Sequence, residues 1–234
     1  MTIAQPMLPE ETAQRAFLFR WLAGIFALEQ THESLAALGN DETRSLLRQA
    51  ADATGTSAQL EVLLGLVDAR PDHDGFVLDL ATDYSRLFLG AAGKSVSAHP
   101  YESLYTGARG TLFQQATTDM EALLREYGLA ASGTREPADH IAVELEFLAQ
   151  LTANWLETGK PEVAALRDRL LGEHVLIWVP DFCAACVQRD RQGFYAASAH
   201  MLNSLLRDEA KLSSCVGNGQ SAAAVKPARQ TPVT

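Results

Sequence analysis

The stretch that decides the fold class is Glu10–Leu28, with the sequence EETAQRAFLFRWLAGIFAL. Its apolar residues recur every three or four positions, as in an amphipathic helix; they are Ala13, Phe17, Leu18, Trp21, Leu22, Ile25 and Phe26. Leu60–Val67 and Phe76–Leu89 repeat this spacing, and no alternating run of β-branched residues predicts a strand. We therefore expect an all-α protein, a single globular helical domain of about ten helices.

Three more helices are expected in the second half of the chain. They span 137–157, Leu166–Val187 and Phe194–Leu206, where apolar residues again recur with the helical period. Pro180 lies inside the second of them, and proline lacks the N–H that an inner helical turn needs. We therefore expect this helix to break or kink at Val179-Pro180.

Two loops and one tail interrupt the helical pattern. Gly90–Gly110, GAAGKSVSAHPYESLYTGARG, is longer than most connections in compact domains, which predicts a functional loop or a hinge. Ala130–Glu136 is a second candidate hinge. The chain beyond Leu212 has no apolar stripe. We therefore assign 1–212 to the helical domain and 213–234 to a flexible C-terminal tail.

The composition is that of an acidic globular protein. The 234 residues include 19 Lys+Arg and 29 Asp+Glu, which gives a formal net charge of −10. This balance argues against binding to nucleic acid or anionic lipid, because both need clustered basic side chains. The sequence has neither an uncharged apolar run of about 18 residues nor a secretory signal. Its three cysteines suit a reducing compartment. We expect a cytoplasmic protein without stable membrane insertion.

The most informative short motif is Glu136-Pro137-Ala138-Asp139-His140, which precedes the next helical pattern. Proline favours the first turn of a helix, so we expect Pro137 to start it and Asp139 to lie in that turn, where a carboxylate is stabilised. His140 and Glu144 are four residues apart and would pair on one face.

An alternative for the same motif is a helical metal-binding enzyme that uses His140, Glu144 and His174. The spacing supplies no convincing ligand set, so no metal site is predicted. Cys183 and Cys186 match a bare C-x-x-C pattern, but their helical flanks favour core cysteines. No phosphate loop or nucleophile elbow occurs. We therefore expect a binding protein with no catalytic residues.

Four motifs, in order along the chain, carry a family resemblance. They are YSRLFLG at Tyr84–Gly90, PYESLY at Pro100–Tyr105, EPADH at Glu136–His140, and a run from His174 through Trp178-Val179-Pro180-Asp181-Phe182 to Gly193-Phe194-Tyr195. Together they make residues 12–210 resemble the TorD/DmsD family of cytoplasmic redox-enzyme maturation chaperones.

The resemblance implies a chaperone that binds the twin-arginine leader and the apo form of a molybdopterin-dependent oxidoreductase. Such a chaperone assists cofactor insertion and delays export until folding is complete. The resemblance also implies a monomer that can exchange halves to form a domain-swapped dimer. Weak guanine-nucleotide binding has been proposed for some members, but this sequence has no phosphate loop, so we expect no cofactor.

The leader-binding residues implied by the resemblance are acidic and aromatic. The candidates are Tyr101, Glu102, Tyr105, Glu136, Pro137, Asp139, His140, Glu144 and Trp178. Their chemistry is compatible with a leader peptide, because arginine prefers bidentate contact with carboxylates. Tyr101, Tyr105 and Trp178 would contact the apolar part of the leader. The negative net charge would speed the encounter with a basic peptide.

Overall fold

The computed structural model describes residues 9–70, 73–91, 93, 96–107, 112–129 and 136–220, and it confirms the all-α prediction. These residues contain no β-strand, only an isolated antiparallel bridge between Tyr101 and His140. The helices are α1 (Pro9–Ala27), α2 (His32–Gly39), α3 (Asp41–Thr54), α4 (Ser57–Asp68), α5 (His73–Leu87), α6 (Ser103–Thr106), α7 (Gln115–Glu126), α8 (Ile141–Thr158), α9 (Pro161–Leu170), α10 (Leu176–Arg189) and α11 (Phe194–Gln220), with a π-helical turn at Leu171–Val175.

The core forms around α1, which packs along α8 and also contacts α3 and α11. Helix α1 buries Phe19, Leu22 and Phe26 completely, and burial of such large apolar side chains stabilises the fold. The expected apolar stripe was wrong at Ala13 and Phe17, which are exposed, Phe17 by 37%, and it left out Phe19, which lies in the core. The other members of the stripe are buried or half-buried, so the helical period predicted the element and most of its inner face.

Helices α9 and α10 form one continuous helix through the π-helical turn Leu171–Val175. The helix does not break at Pro180, which lies inside α10, so that part of the expectation was wrong, and a kink there stays a prediction. The carbonyl that a proline deprives of its donor is four residues earlier. Here it belongs to Leu176, at the junction with the π-helical turn, where the regular pattern has already changed.

By length and hydropathy alone, Pro161–Arg189 could cross a membrane. Half of its most apolar window is buried inside the fold, and α9 packs on α8 while α10 packs on α11. Buried core helices of soluble proteins often have the same length and hydropathy, so these two properties of Pro161–Arg189 are weak evidence for a membrane span.

Helix α8 begins at Ile141, four residues later than Pro137. The N-cap is His140, whose Nδ1 accepts a hydrogen bond from the Ala142 N–H at 3.1 Å. The expectations that Pro137 starts the helix and that Asp139 lies in its first turn were therefore wrong. An imidazole can replace the usual Ser, Asp or Asn cap because its unprotonated nitrogen is also an acceptor.

Residues 96–107 of the central loop are held by backbone hydrogen bonds to α5 and to α8. The Ala98 N–H donates to the Leu87 carbonyl at 2.7 Å, and the Ile141 N–H donates to the Pro100 carbonyl at 2.9 Å. Residues 92, 94–95, 108–111 and 130–135 lie outside the described residues, so domain swapping at either loop stays a prediction.

The C-terminal boundary also differs from expectation. Helix α11 continues to Gln220, so the first eight residues assigned to the tail extend this helix, and 221–234 lie outside the described residues. The division into a domain and a flexible tail stays a prediction.

Candidate functional site

The central loop meets the start of α8 at the Tyr101–His140 bridge. The Glu102 N–H donates to the Asp139 carbonyl at 2.9 Å, and the rings of Tyr101 and His140 lie edge to face with centroids 4.9 Å apart. The two motifs, PYESLY and EPADH, are therefore in direct contact although 30 residues separate them in the sequence.

Asp139 fastens two other elements to this bridge. Its carboxylate is fully buried, and it accepts hydrogen bonds from the Ser103 N–H at 3.0 Å and from the Thr117 hydroxyl at 2.8 Å. Ser103 begins α6 and Thr117 lies in the first turn of α7. Because a buried carboxylate without donors is costly, these bonds fix Asp139 as a brace between the loop and α7.

The protonation of His140 follows from its position. Burial lowers its pKa to about 4, although the nearby charges of Glu136 and Asp139 oppose this shift. The imidazole is therefore neutral at neutral pH, which leaves Nδ1 free to accept from Ala142. Beside it, the Tyr101 hydroxyl donates to Glu136 at 2.7 Å, and burial together with that carboxylate raises the pKa of Tyr101.

A second polar cluster, Glu102, Glu144 and His174, lies next to the first. His174 Nδ1 is 2.7 Å from the Glu102 Oε2, and the Trp178 Nε1–H donates to the Glu144 Oε2 at 3.0 Å. All three side chains are buried, and one ligand atom from each lies within 4.8 Å of the other two. Burial raises the pKa of Glu144 well above its usual range, and the neighbouring Glu102 charge adds to this.

The ligand set of the metal-enzyme alternative does not assemble. Glu144 and His174 come together, but the third member is Glu102, because His140 is committed to capping α8. The expected pairing of His140 with Glu144 is replaced by the bond from Trp178 to Glu144. The π-helical turn contains His174, and such turns often occur at functional sites.

A surface cleft of about 510 Å³ opens beside this cluster, between α6, α7 and the α9–α10 helix. Glu102 and His174 line its inner end. Exposed carboxylates of Asp119 and Glu173 lie on its walls, together with the guanidinium of Arg169, which pairs with Glu126 at 2.8 Å. Ile177 contributes an apolar side chain that is 50% exposed. The cleft therefore combines negative charge with apolar surface.

The nine expected site residues gather in one region, but few of them reach the solvent. Tyr101, Tyr105, Glu136 and Pro137 are partly exposed, whereas Glu102, Asp139, His140, Glu144 and Trp178 are buried. Only Glu102 lines the cleft. Tyr105 packs on Trp178 with ring centroids 5.3 Å apart.

Asp119, Glu173 and Ile177 were missed as candidates, and so was His174 as a neighbour of Glu102. Asp119 lies on an exposed helix position with no motif around it. Ile177 lies inside the fourth motif and Glu173 directly before it, and this motif was the one available signal.

Comparison with known proteins agrees with this architecture. Residues 39–184 match the family model described as nitrate reductase delta subunit. The chain is 34% identical over 203 residues to the Chaperone protein TorD of Aliivibrio fischeri, covering 85% of this chain and 94% of the relative. It is 32% identical to that of Photobacterium profundum, covering 81% and 89%.

A solved structure shows the same fold. The crystal structure of an Archaeoglobus fulgidus protein assigned to redox enzyme maturation superposes with a TM-score of 0.52 at 22% identity, covering 82% of this chain and 93% of that one. The extent of the family match and the identity to the TorD relatives exceed what chance or fold likeness alone would give. The chain therefore belongs to the TorD family of redox-enzyme maturation chaperones, a family of chaperones rather than enzymes.

Proposed function

We propose that this protein is a cytoplasmic chaperone that binds the twin-arginine leader and the apo form of a molybdopterin-dependent oxidoreductase. In this role it assists cofactor insertion and delays export until the enzyme has folded. The TorD relatives support the role of a maturation chaperone. No cofactor of its own is part of the proposal, and weak guanine-nucleotide binding is implied by the family resemblance alone.

The observation that carries the proposal is the composition of the cleft. A leader with adjacent arginines and an apolar segment needs carboxylates beside apolar surface. Asp119 and Glu173 offer exposed carboxylates, and Ile177 lies one turn from Glu173. Because guanidinium groups bind carboxylates through charge-assisted pairs, the two arginines would lie on these walls.

The buried motif residues act on the leader through the shape of the cleft. Asp139 holds α6 and α7, which form part of the cleft, and His140 fixes the start of α8. Tyr101 and Glu136, joined by their 2.7 Å hydrogen bond, lie partly exposed and are available for direct contact. In this proposal Asp139 and His140 are positioning residues.

The test is calorimetric titration of the full chain with twin-arginine leader peptides from the molybdoenzymes of the same genome. We expect one leader to bind, and we expect Asp119→Asn or Glu173→Gln to weaken its affinity by about tenfold, since each removes one charged acceptor. Glu33→Gln is the matched control, because it makes the same change of charge on the exposed surface of α2.

Two results would contradict the proposal. The absence of binding to every leader would exclude leader recognition by the isolated chaperone. Equal weakening by the Glu33 variant and the cleft variants would show that net charge alone attracts the peptide, without a site in the cleft.

A further inference from the structure

The cluster of Glu102, Glu144 and His174 joins three separate elements. Glu102 precedes α6, Glu144 lies in the first turn of α8, and His174 belongs to the π-helical turn. Their potential ligand atoms lie within 4.8 Å of one another. The cluster therefore brings two carboxylates and one imidazole to a single point inside the fold.

One atom of the cluster has no partner. Glu144 is 0% exposed, and its Oε2 accepts from Trp178, whereas no N–H or hydroxyl donor reaches its Oε1 and the neighbouring group of the carboxyl is the Glu102 carboxyl. Orphaned buried polar atoms are uncommon in proteins, and a missing ion is one physical reason for them. Glu102 lies within reach of the same carboxyl group, so the unpartnered oxygen belongs to the cluster.

We propose that Glu102, Glu144 and His174 form a binding site for one Zn²⁺ ion. Two carboxylate oxygens and the His174 nitrogen would be its protein ligands, with a water molecule or another donor in the fourth position. Zn²⁺ accepts this set, since its bonds to nitrogen and carboxylate oxygen are about 2.0–2.2 Å long. Ligand atoms already within 4.8 Å need only small side-chain shifts to reach such bonds.

The charge of the cluster and its position beside the cleft both favour binding of a cation. The cluster combines two acidic groups with one imidazole, and a cation compensates buried carboxylates that would otherwise lose solvation. The Trp178 Nε1–H orients the Glu144 carboxylate, as outer partners commonly do for metal ligands. Glu102 and His174 line the inner end of the cleft, which gives the ion a path from solvent.

The site goes beyond leader binding and is independent of it. A bound ion would tie the loop before α6 to α8 and to the α9–α10 helix. Because an ion that binds only the folded state stabilises it by mass action, Zn²⁺ should raise the melting temperature. At a hundredfold excess over its dissociation constant, we expect a rise of about 5 °C or more.

The experiment titrates the full-length, tag-free chain, first treated with chelator, with Zn²⁺ by calorimetry and with Co²⁺ by visible absorption. We expect one equivalent of either ion. Glu144→Gln and His174→Gln should each weaken affinity at least about tenfold. His32→Gln is the matched control, because His32 is an exposed imidazole that contacts Asp74 far along the chain from the cluster.

A second measurement on the wild-type protein covers the case in which a variant fails to fold. X-ray absorption of the Zn²⁺-loaded chain should show nitrogen and oxygen ligands, including one imidazole. Sulfur ligands at about 2.3 Å would place the ion at Cys183 and Cys186 instead and would overturn the proposal.

Two other outcomes would also overturn it. Binding that persists in the Glu144 and His174 variants, or that is lost in the His32 variant, would locate the ion on the surface. Failure of the wild-type protein to bind either ion would mean that Glu102 and Glu144 share only a proton.

Discussion

Two buried clusters of charged side chains each leave one polar atom unpartnered, and they differ in which kind of atom it is: a guanidinium donor in the first and a carboxyl acceptor in the second. Arg15 of α1 and Arg167 of α9 both pair with the fully buried Glu209 of α11, and Arg15 also contacts Asp208 at 2.6 Å. Each Glu209 oxygen has a guanidinium partner. We call this set the arginine cluster. In the Glu102–Glu144–His174 cluster, acids outnumber the imidazole, and Glu144 Oε1 has no partner.

This difference sets what each cluster can do. Both Glu209 oxygens are paired, and the unpartnered Arg15 Nε belongs to a guanidinium that is bonded through its other two nitrogens, so the arginine cluster joins α1, α9 and α11. The Glu102–Glu144–His174 cluster is incomplete and lies beside an acidic cleft. A buried polar cluster that leaves an acceptor open at a cleft has capacity for something that the chain itself does not supply.

The largest effect is expected from breaking the arginine cluster. Glu209→Ala leaves two buried guanidinium groups short of a carboxylate, and removal of one partner from a buried pair costs about 3–5 kcal/mol. Urea denaturation followed by circular dichroism should show this loss in the free energy of unfolding. The leader affinity of the protein that stays folded should not change. A loss below about 1 kcal/mol would show that this cluster is dispensable.

The next effect comes from Asp139, which braces the cleft. Asp139→Ala removes the acceptor for both the Ser103 N–H and the Thr117 hydroxyl, and we expect a loss of about 3 kcal/mol. Asp139→Asn keeps an acceptor of the same shape and should lose much less. If Asp139 acts by positioning, the Asn variant retains leader affinity in calorimetry. A large loss of affinity in a fully folded Asn variant would mean that Asp139 contacts the leader directly.

The free energy of unfolding should also depend on pH, because His140 titrates. Its folded pKa of about 4 lies below the usual value near 6.5, so the unfolded chain takes up a proton first as the pH falls. This contribution to stability is complete above about pH 6.5 and declines toward pH 4, with about 2 kcal/mol lost by pH 5. His140→Asn keeps the N-cap without this ionisation. Its stability should therefore fall less than that of the wild type between pH 7 and 5, in parallel urea titrations.

The smallest effect is expected at an exposed pair on the same helix as Arg15. Arg20 of α1 contacts Glu146 of α8 at 3.1 Å, with the Arg20 side chain 54% exposed. Solvent screens such pairs, so Arg20→Ala should change the free energy of unfolding by less than about 1 kcal/mol. An effect as large as that of Glu209→Ala would show that burial does not set the difference between the pairs.

The helical period and the motifs predicted much of this molecule. The apolar spacing identified α1, α4 and α5 to within a few residues, because local amphipathicity is a property of neighbouring positions. The motifs placed Tyr101 and His140 in one candidate site, and in the structure these two residues form a β-bridge.

What the sequence could not predict depends on distant partners. The bracing role of Asp139 requires knowledge of where Ser103 and Thr117 lie. The cap by His140 is a local bond to Ala142 and was missed for another reason, because imidazole is not among the usual N-cap side chains. The convergence of Glu102 with His174 spans 72 positions and has no periodic signal. The cleft carboxylates Asp119 and Glu173 were missed because exposed acids occur on many helices of this acidic protein, and nothing local distinguishes these two.

The π-helical turn at Leu171–Val175 has a consequence for how relatives should be aligned. Such a turn holds one residue more than an α-helical turn, which rotates everything beyond it by about 100°. The phase change lets one continuous helix face α8 with its first half and face α6 and α11 with its second half. A deletion of one residue here would leave the helix intact yet turn Trp178 away from Glu144. We therefore expect a relative with a single-residue gap between α9 and α10 to have a different cleft lining, even where it retains every motif.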